Sequence, residues 1–163
     1  MPLTRAYIGF GSNIGDRLET MRKALKLLAA ESSTTSYQTS PVYENRAIGM
    51  GDADPFLNAV LELTTSLDAD GLLNLCLAFE SVLGRKRSEY WAPRTIDLDL
   101  LVYGTLQCDD KHLQLPHPRI EVRDFVAQPL FDLAPEMEIR GRQLREILQS
   151  LDASELKLYE ARL

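Results

Sequence analysis

Trp91-Ala-Pro-Arg94-Thr95-Ile96-Asp97-Leu98-Asp99-Leu100-Leu101 is the stretch on which a reading of this chain turns. Ile96, Leu98, Leu100 and Val102 alternate with Asp97 and Asp99, the period of a half-buried strand, and side chains two apart on a strand share a face. Both carboxylates then emerge together, about 6.5–7 Å apart at the usual strand rise. That spacing suits two divalent ions about 3.5–4 Å apart, each taking a carboxylate and a phosphate oxygen. Like charges on one strand face repel, so something cationic is expected to compensate. Arg85, Lys86, Arg87 and Arg94 stand just upstream, and guanidinium groups match phosphate through bidentate, charge-assisted bonds. The segment points to metal-assisted chemistry on a polyphosphate. The alternative for an isolated Asp-x-Asp is a solvated strand face.

Arg5 to Gly11 reads as a first strand, followed by a turn in which Asn13 or Asp16 caps a helix. Leu18, Met21, Leu25 and Leu28 give that helix, Arg17 to Glu31, its apolar face. Ser32 to Tyr43, rich in Ser, Thr and Tyr, predicts an exposed or edge strand. Glu44 to Pro55 is a loop, and Phe56 to Thr65 a strand with Asn58 as its odd polar residue. A second helix spans Asp68 to Leu83, capped by Asp68, apolar at Leu72, Leu75, Phe79, Val82 and Leu83, and closed by Gly84. A charged loop leads to the acidic strand, Thr95 to Tyr103, and Gly104 makes a turn. Short extended pieces at 106–108 and 113–115 follow, then short helical turns over Arg119 to Asp132 and a last helix, Leu144 to Leu151. The tail to Leu163 is left open between fraying and docking.

The order β-α-β-β-α-β predicts an α+β fold, ferredoxin-like, with an antiparallel sheet and helices packed on one face, in a single domain over 1–163. Gly9, Gly11 and Gly15 miss the dinucleotide-binding glycine spacing by one, and no regular βαβ alternation follows.

With 163 residues, 45% of them hydrophobic, the chain supports a real core. Its net charge of −6 opposes binding of nucleic acid by bulk electrostatics. Cys76 and Cys108 lack metal-ligand spacing. Cys76 reads as a buried thiol, with a disulfide to Cys108 as the alternative. No signal-like or bilayer-length apolar run occurs, so a cytoplasmic protein is expected.

His112 and His117 are the only histidines, too few for a zinc site built on several of them. His117, between Pro116 and Pro118, reads either as a hydrogen-bond donor to phosphate, with Arg123 on the same anion, or as a surface histidine. Trp91 is either a loop anchor or a plate over a planar ring. Phe56 and Phe125, taken alone, read as core, and Glu80 as a solvated helix residue.

These residues fall into a known pattern. Arg85-x-Arg87, Trp91-x-Pro93-Arg94-Thr95-Ile96-Asp97-Leu98-Asp99, Leu115-Pro116-His117-Pro118-Arg119, Arg123-x-Phe125-Val126, Pro129-Leu130 and Ala134-Pro135-Glu136 resemble the 6-hydroxymethyl-7,8-dihydropterin pyrophosphokinases, as do Tyr7 to Asn13 and Phe56 to Val60. The resemblance implies transfer of the β,γ-diphosphate of ATP to the hydroxymethyl group of the dihydropterin, with release of AMP, in folate synthesis. It implies two Mg²⁺ held by Asp97 and Asp99, and Arg85 and Arg94 as catalytic phosphate contacts. Glu80, Arg87, Trp91, His112, His117 and Arg123 would complete the ATP site. Asn45, Ile48, Phe56, Asn58, Trp91, Asp97 and Phe125 would form the pterin site, Phe56 and Phe125 stacking on the ring. The partners implied are small molecules, without nucleic acid or membrane, and a monomer is expected.

Asn45 and Ala47 stand where many members carry Thr or Ser and Pro, and Leu77 where a polar residue is common. Two other readings compete: a non-enzymatic ferredoxin-like module binding RNA or a small ligand, and a relative that binds nucleotide with another heterocycle. The acidic charge and the paired aspartates oppose the first; assays with several pterins separate the second.

Overall fold

Alternation along β1 (Thr4–Ser12) sends Ala6, Ile8 and Phe10 to one face of a sheet and Tyr7, Gly9 and Gly11 to the other. A computed structural model describes residues 2–45, 55–84, 96–151, 156–160 and 162–163. After β1 come α1 (Arg17–Ala30), β2 (Thr34–Thr39), β3 (Val42–Asn45), β4 (Phe56–Thr65), α2 (Ala69–Val82) and β5 (Asp97–Tyr103). β1 lies between β4 and β5, both antiparallel to it. β2 and β3 follow one another along the far edge of β4. This is the expected ferredoxin-like arrangement.

Local chemistry sets the element ends. Asp16 accepts a hydrogen bond from the Glu19 amide at 3.1 Å and Asp68 from the Gly71 amide at 2.7 Å, each capping its helix. The stretch 32–43 forms two strands where one is predicted. Pro41 has no N–H to give the ladder, and Ser40 makes the join: its amide donates to the Val60 carbonyl at 2.9 Å, and its Oγ accepts from the Val60 amide at 2.8 Å.

Two apolar layers flank the sheet. Ile8, Phe10, Leu57, Leu61, Leu98 and Leu100 pack with Met21, Leu28, Leu72 and Cys76 of α1 and α2. Val82, expected on that face, is 71% exposed; Leu72, Cys76 and Phe79 carry the packing instead. Helices also cover part of the second face. Tyr7, Val60, Leu101 and Val102 are buried there beneath Ala127 and Leu130 of α3 (Asp124–Leu133) and Leu144 and Ile147 of α4 (Leu144–Ser150). The region 119–132 is therefore a short 3-10 turn, Pro118–Glu121, plus a ten-residue helix.

Three strand pairings complete the architecture. β6 (Cys108–Asp109) pairs with β7 (Gln114–Leu115), and β8 (Glu138–Ile139) with β9 (Arg142–Gln143). The turn of the second hairpin is Arg140-Gly141, with φ of 51° and 81°, the left-handed pair that tight hairpins require. The tail docks as β10 (Lys157–Glu160) on β3. Cys76 and Cys108 are both free thiols. No helix among the described residues is long and apolar enough to cross a membrane.

Ser40 is fully buried, and its Oγ is the acceptor for a strand amide. Ser40→Ala is expected to lower stability by about 1–3 kcal/mol in urea unfolding. A change below about 0.3 kcal/mol would contradict this account of the β2–β3 join.

Candidate active site

The second face of the sheet is apolar at one end and polar at the other. Along β1 it runs Tyr7, Gly9, Gly11; along β4, Val60, Asn58, Phe56; along β5, Leu101, Asp99, Asp97. Tyr7, Val60 and Leu101 lie under α3 and α4. The remaining six residues form the candidate site. A methyl group at Gly11 would lie 3.7 Å from Asn58 Oδ1 and 3.9 Å from both Asp97 Cβ and Phe56 Cδ1. The side chains of Asp97, Asn58 and Phe56 thus converge on one point that glycine keeps free of a side chain of its own. Gly9, one row closer to the packed end, is instead covered by the Leu101 side chain, whose Cδ1 a methyl group there would meet at 3.4 Å.

Among the described residues β5 is an edge strand, and α2 grips its free edge. Glu80 is only 2% exposed, and its Oε2 accepts the Leu98 amide at 2.7 Å. The reading of Glu80 as a solvated helix residue is overturned. Leu72, Cys76 and Glu80 occupy successive i, i+4 positions, and all three are buried. The contact falls between Asp97 and Asp99, so a buried carboxyl anchors the backbone that presents them. Burial, then the negative charges of Glu80 and Asp99, pushes the Cys76 thiol up to about 12. Cys76 is packing, not a nucleophile.

His117 also joins the free edge, its amide donating to the Leu101 carbonyl at 2.8 Å. Its Nδ1 accepts the Arg119 amide at 3.2 Å, which leaves Nε2 as the protonated, donating nitrogen of the neutral ring. Burial, followed by the nearby charges of Arg119, Arg123 and Arg140, lowers its pKa to about 4. Arg140 fixes the same turn through Glu121 and the Pro116 carbonyl. A neutral imidazole N–H beside three guanidinium groups has the chemistry to receive an anion.

Asn45 and Asn58 meet side chain to side chain, Asn58 Nδ2 donating to Asn45 Oδ1. Asn45 and Phe56 are partners across the β3–β4 ladder. Phe125, at the start of α3, lies under the Arg123 guanidinium, 5.4 Å from the ring centroid. The structure therefore brings together Asp97, Asn45, Asn58 and Phe56, and holds Glu80 and His117 on the same strand edge. His112 lies apart, its Nε2 3.3 Å from Asp70 at the opposite end of α2. Ile48, Arg85, Arg87, Trp91 and Arg94 lie outside the described residues. Sequence reasoning missed Gly9, Gly11, Arg119 and Arg140. Alternation with the aspartates would have placed both glycines on the site face, but nothing local marks Arg140.

The aspartate pair suits Mg²⁺. Carboxylate oxygens are hard donors, and Gly11 adds no side chain beside Asp97 that would compete for the space of an ion carrying its own ligands. Among the described residues no cluster of three or more candidate ligands occurs. Asp97 and Asp99 would accordingly hold an ion that brings phosphate oxygens and water with it, as Mg²⁺ does when it accompanies a nucleotide.

Comparison with known proteins follows the same lines. The family model for 7,8-dihydro-6-hydroxymethylpterin-pyrophosphokinase (HPPK) matches residues 7–135. A 2-amino-4-hydroxy-6-hydroxymethyldihydropteridine pyrophosphokinase of Methylorubrum extorquens is 42% identical over 158 residues, spanning 97% of this chain and 100% of that protein. Its Bacillus subtilis counterpart is 41% identical over 133 residues, 82% of this chain and 80% of the relative. A crystal structure of HPPK-DHPS in complex with substrates superposes with a TM-score of 0.73 at 12% identity, over 92% of this chain and 43% of that one. At that identity the likeness shows the fold. The chain belongs to the 7,8-dihydro-6-hydroxymethylpterin-pyrophosphokinase family.

Removing the Glu80 acceptor strands the Leu98 amide in the core. Glu80→Ala is expected to cost about 1–3 kcal/mol in denaturant unfolding, and an unchanged midpoint would contradict the anchoring role. His117 gives a pH test. Its native pKa lies below the ordinary histidine value of 6.5, so between pH 6.5 and about 4 the unfolded chain binds a proton that the native state does not. Its contribution to stability is present above that window and lost as pH falls through it. An NMR titration is expected to place the His117 midpoint near 4 and to raise it when ATP is added. An ordinary midpoint, indifferent to ATP, would contradict the anion site.

Proposed function

We propose that this chain catalyses transfer of the β,γ-diphosphate of ATP to the hydroxymethyl group of 6-hydroxymethyl-7,8-dihydropterin, releasing AMP, as an enzyme of folate biosynthesis. Family membership supports the reaction. The observation that carries it into the structure is the point above Gly11, which lies within 4 Å of Asn58 Oδ1, Asp97 Cβ and Phe56 Cδ1. Phosphate-metal chemistry and recognition of a flat, amide-bearing heterocycle adjoin there.

Asp97 and Asp99 would hold two Mg²⁺, whose chemistry is to neutralise the triphosphate and acidify the attacking hydroxyl. The rest is positioning and charge stabilisation by protein groups. Glu80 fixes β5, so the two aspartates keep one geometry throughout. His117 donates through Nε2 to a phosphate oxygen while Arg123 supplies positive charge beside it. Arg85 and Arg94 are assigned to the charge that develops as the α–β bridge breaks, and Arg87 and His112 to further ATP contacts. Asn45 and Asn58 orient the amide-like edge of the pterin, and Phe56 and Phe125 stack on its ring. Ile48 and Trp91 are assigned to the same pocket, Trp91 closing it against water so that hydrolysis does not compete with transfer. The working form proposed is a cytoplasmic monomer, one domain over 1–163.

AMP release from ATP and Mg²⁺, measured with and without the dihydropterin, tests the reading. Wild type is expected to release AMP only with pterin, and Asp97→Ala to be slower by at least about 10²–10³-fold, the cost of a lost charge-stabilising group. AMP release indifferent to pterin, or intact in the variant, would contradict it.

A further inference from the structure

Arg17 is the first residue of α1, where exposed backbone N–H groups make a cation unfavourable. Its side chain does not reach away into solvent. Nη1 donates to Glu44 Oε2 at 2.9 Å and to the Pro55 carbonyl at 2.6 Å. The side chain is only 17% exposed, and its Cζ lies 5.4 Å from the ring centroid of Tyr159 on β10. One guanidinium therefore holds α1, β3, the entry to β4 and the C-terminal strand together.

The two residues it holds matter by position. Glu44 directly precedes Asn45 and Pro55 directly precedes Phe56, and Asn45 and Phe56 are partners across the ladder. Asn45 in turn meets Asn58. We propose that Arg17 is a positioning residue for the pterin end of the site, acting through Glu44 and Pro55 to fix Asn45 and Phe56. It touches no substrate. The inference rests on the pterin reading above and extends it to a residue on the helix side of the sheet. Both bonds leave from Nη1, and the rigid planar guanidinium fixes their directions, which the flexible ammonium of lysine does less well. The Tyr159 ring adds a cation–π contact that holds the fork in place.

The test is binding of the dihydropterin, followed with Mg²⁺ and a non-hydrolysable ATP analogue present, beside binding of the analogue alone. Arg17→Ala is expected to weaken pterin affinity by about tenfold, as for loss of a charged hydrogen bond, and to leave nucleotide affinity within about twofold. Arg17→Lys carries the same expectation with a smaller loss and serves if the alanine variant fails to fold. Glu44→Gln on top of Arg17→Ala is expected to add little, because the two act as a unit. Wild-type pterin affinity in the Arg17 variants would overturn the inference, as would equal losses of pterin and nucleotide binding. A wild type that binds the nucleotide analogue and no pterin would instead overturn the functional reading, and this inference with it.

Discussion

A buried carboxyl holding one backbone amide organises the acidic edge of this molecule. Among the described residues β5 is the last strand of its sheet, paired on one side only, and an edge strand with two like charges on one face has reason to twist away. Glu80 prevents this from below, taking the Leu98 amide midway between Asp97 and Asp99. His117 takes the Leu101 carbonyl further along the same edge. The free edge is thereby used by the Glu80 side chain and the His117 turn, which fix the backbone that presents the aspartates.

The sheet divides its second face between stability and chemistry. Tyr7, Val60 and Leu101 receive α3 and α4, and those helices bury them with Ile120 and Ile147. Two residues further along each strand the same alternation delivers Gly9, Asn58 and Asp99, none of which gives a helix an apolar surface to pack on. Strand periodicity thus places a packed end and a reactive end on one continuous surface. The Arg5–Glu62 pair at 3.8 Å lies at the far side of the packed end, away from the aspartates.

Much of this was legible in the chain. The Ile-Asp-Leu-Asp-Leu alternation placed both carboxylates on one face, the Asp16 and Asp68 caps marked helix starts, and Phe56–Thr65 agreed to the residue. What escaped has a physical reason in each case. Glu80 was read by its chemical type, although Leu72 and Cys76 at four-residue spacing put it in the buried stripe. β10 has four exposed residues and no alternation, so no pattern marks it; it is held by pairing with β3. Arg17 sits where helix rules place an acid, and only the tertiary contacts to Glu44, Pro55 and Tyr159 explain it. Arg140 occupies a left-handed turn position usually given to Asn or Gly, for the sake of contacts nearly twenty or more residues away in sequence.

The central claim is that Asp97 and Asp99, presented together by β5, hold the metal ions of a bound nucleotide. Electron paramagnetic resonance of Mn²⁺, used in place of Mg²⁺, reads this directly with a non-hydrolysable ATP analogue in wild type and in the Asp97→Asn/Asp99→Asn double variant. The account predicts protein-bound Mn²⁺ in wild type that requires the nucleotide and is lost in the double variant while the fold is retained. Equal Mn²⁺ binding by the two proteins would contradict it.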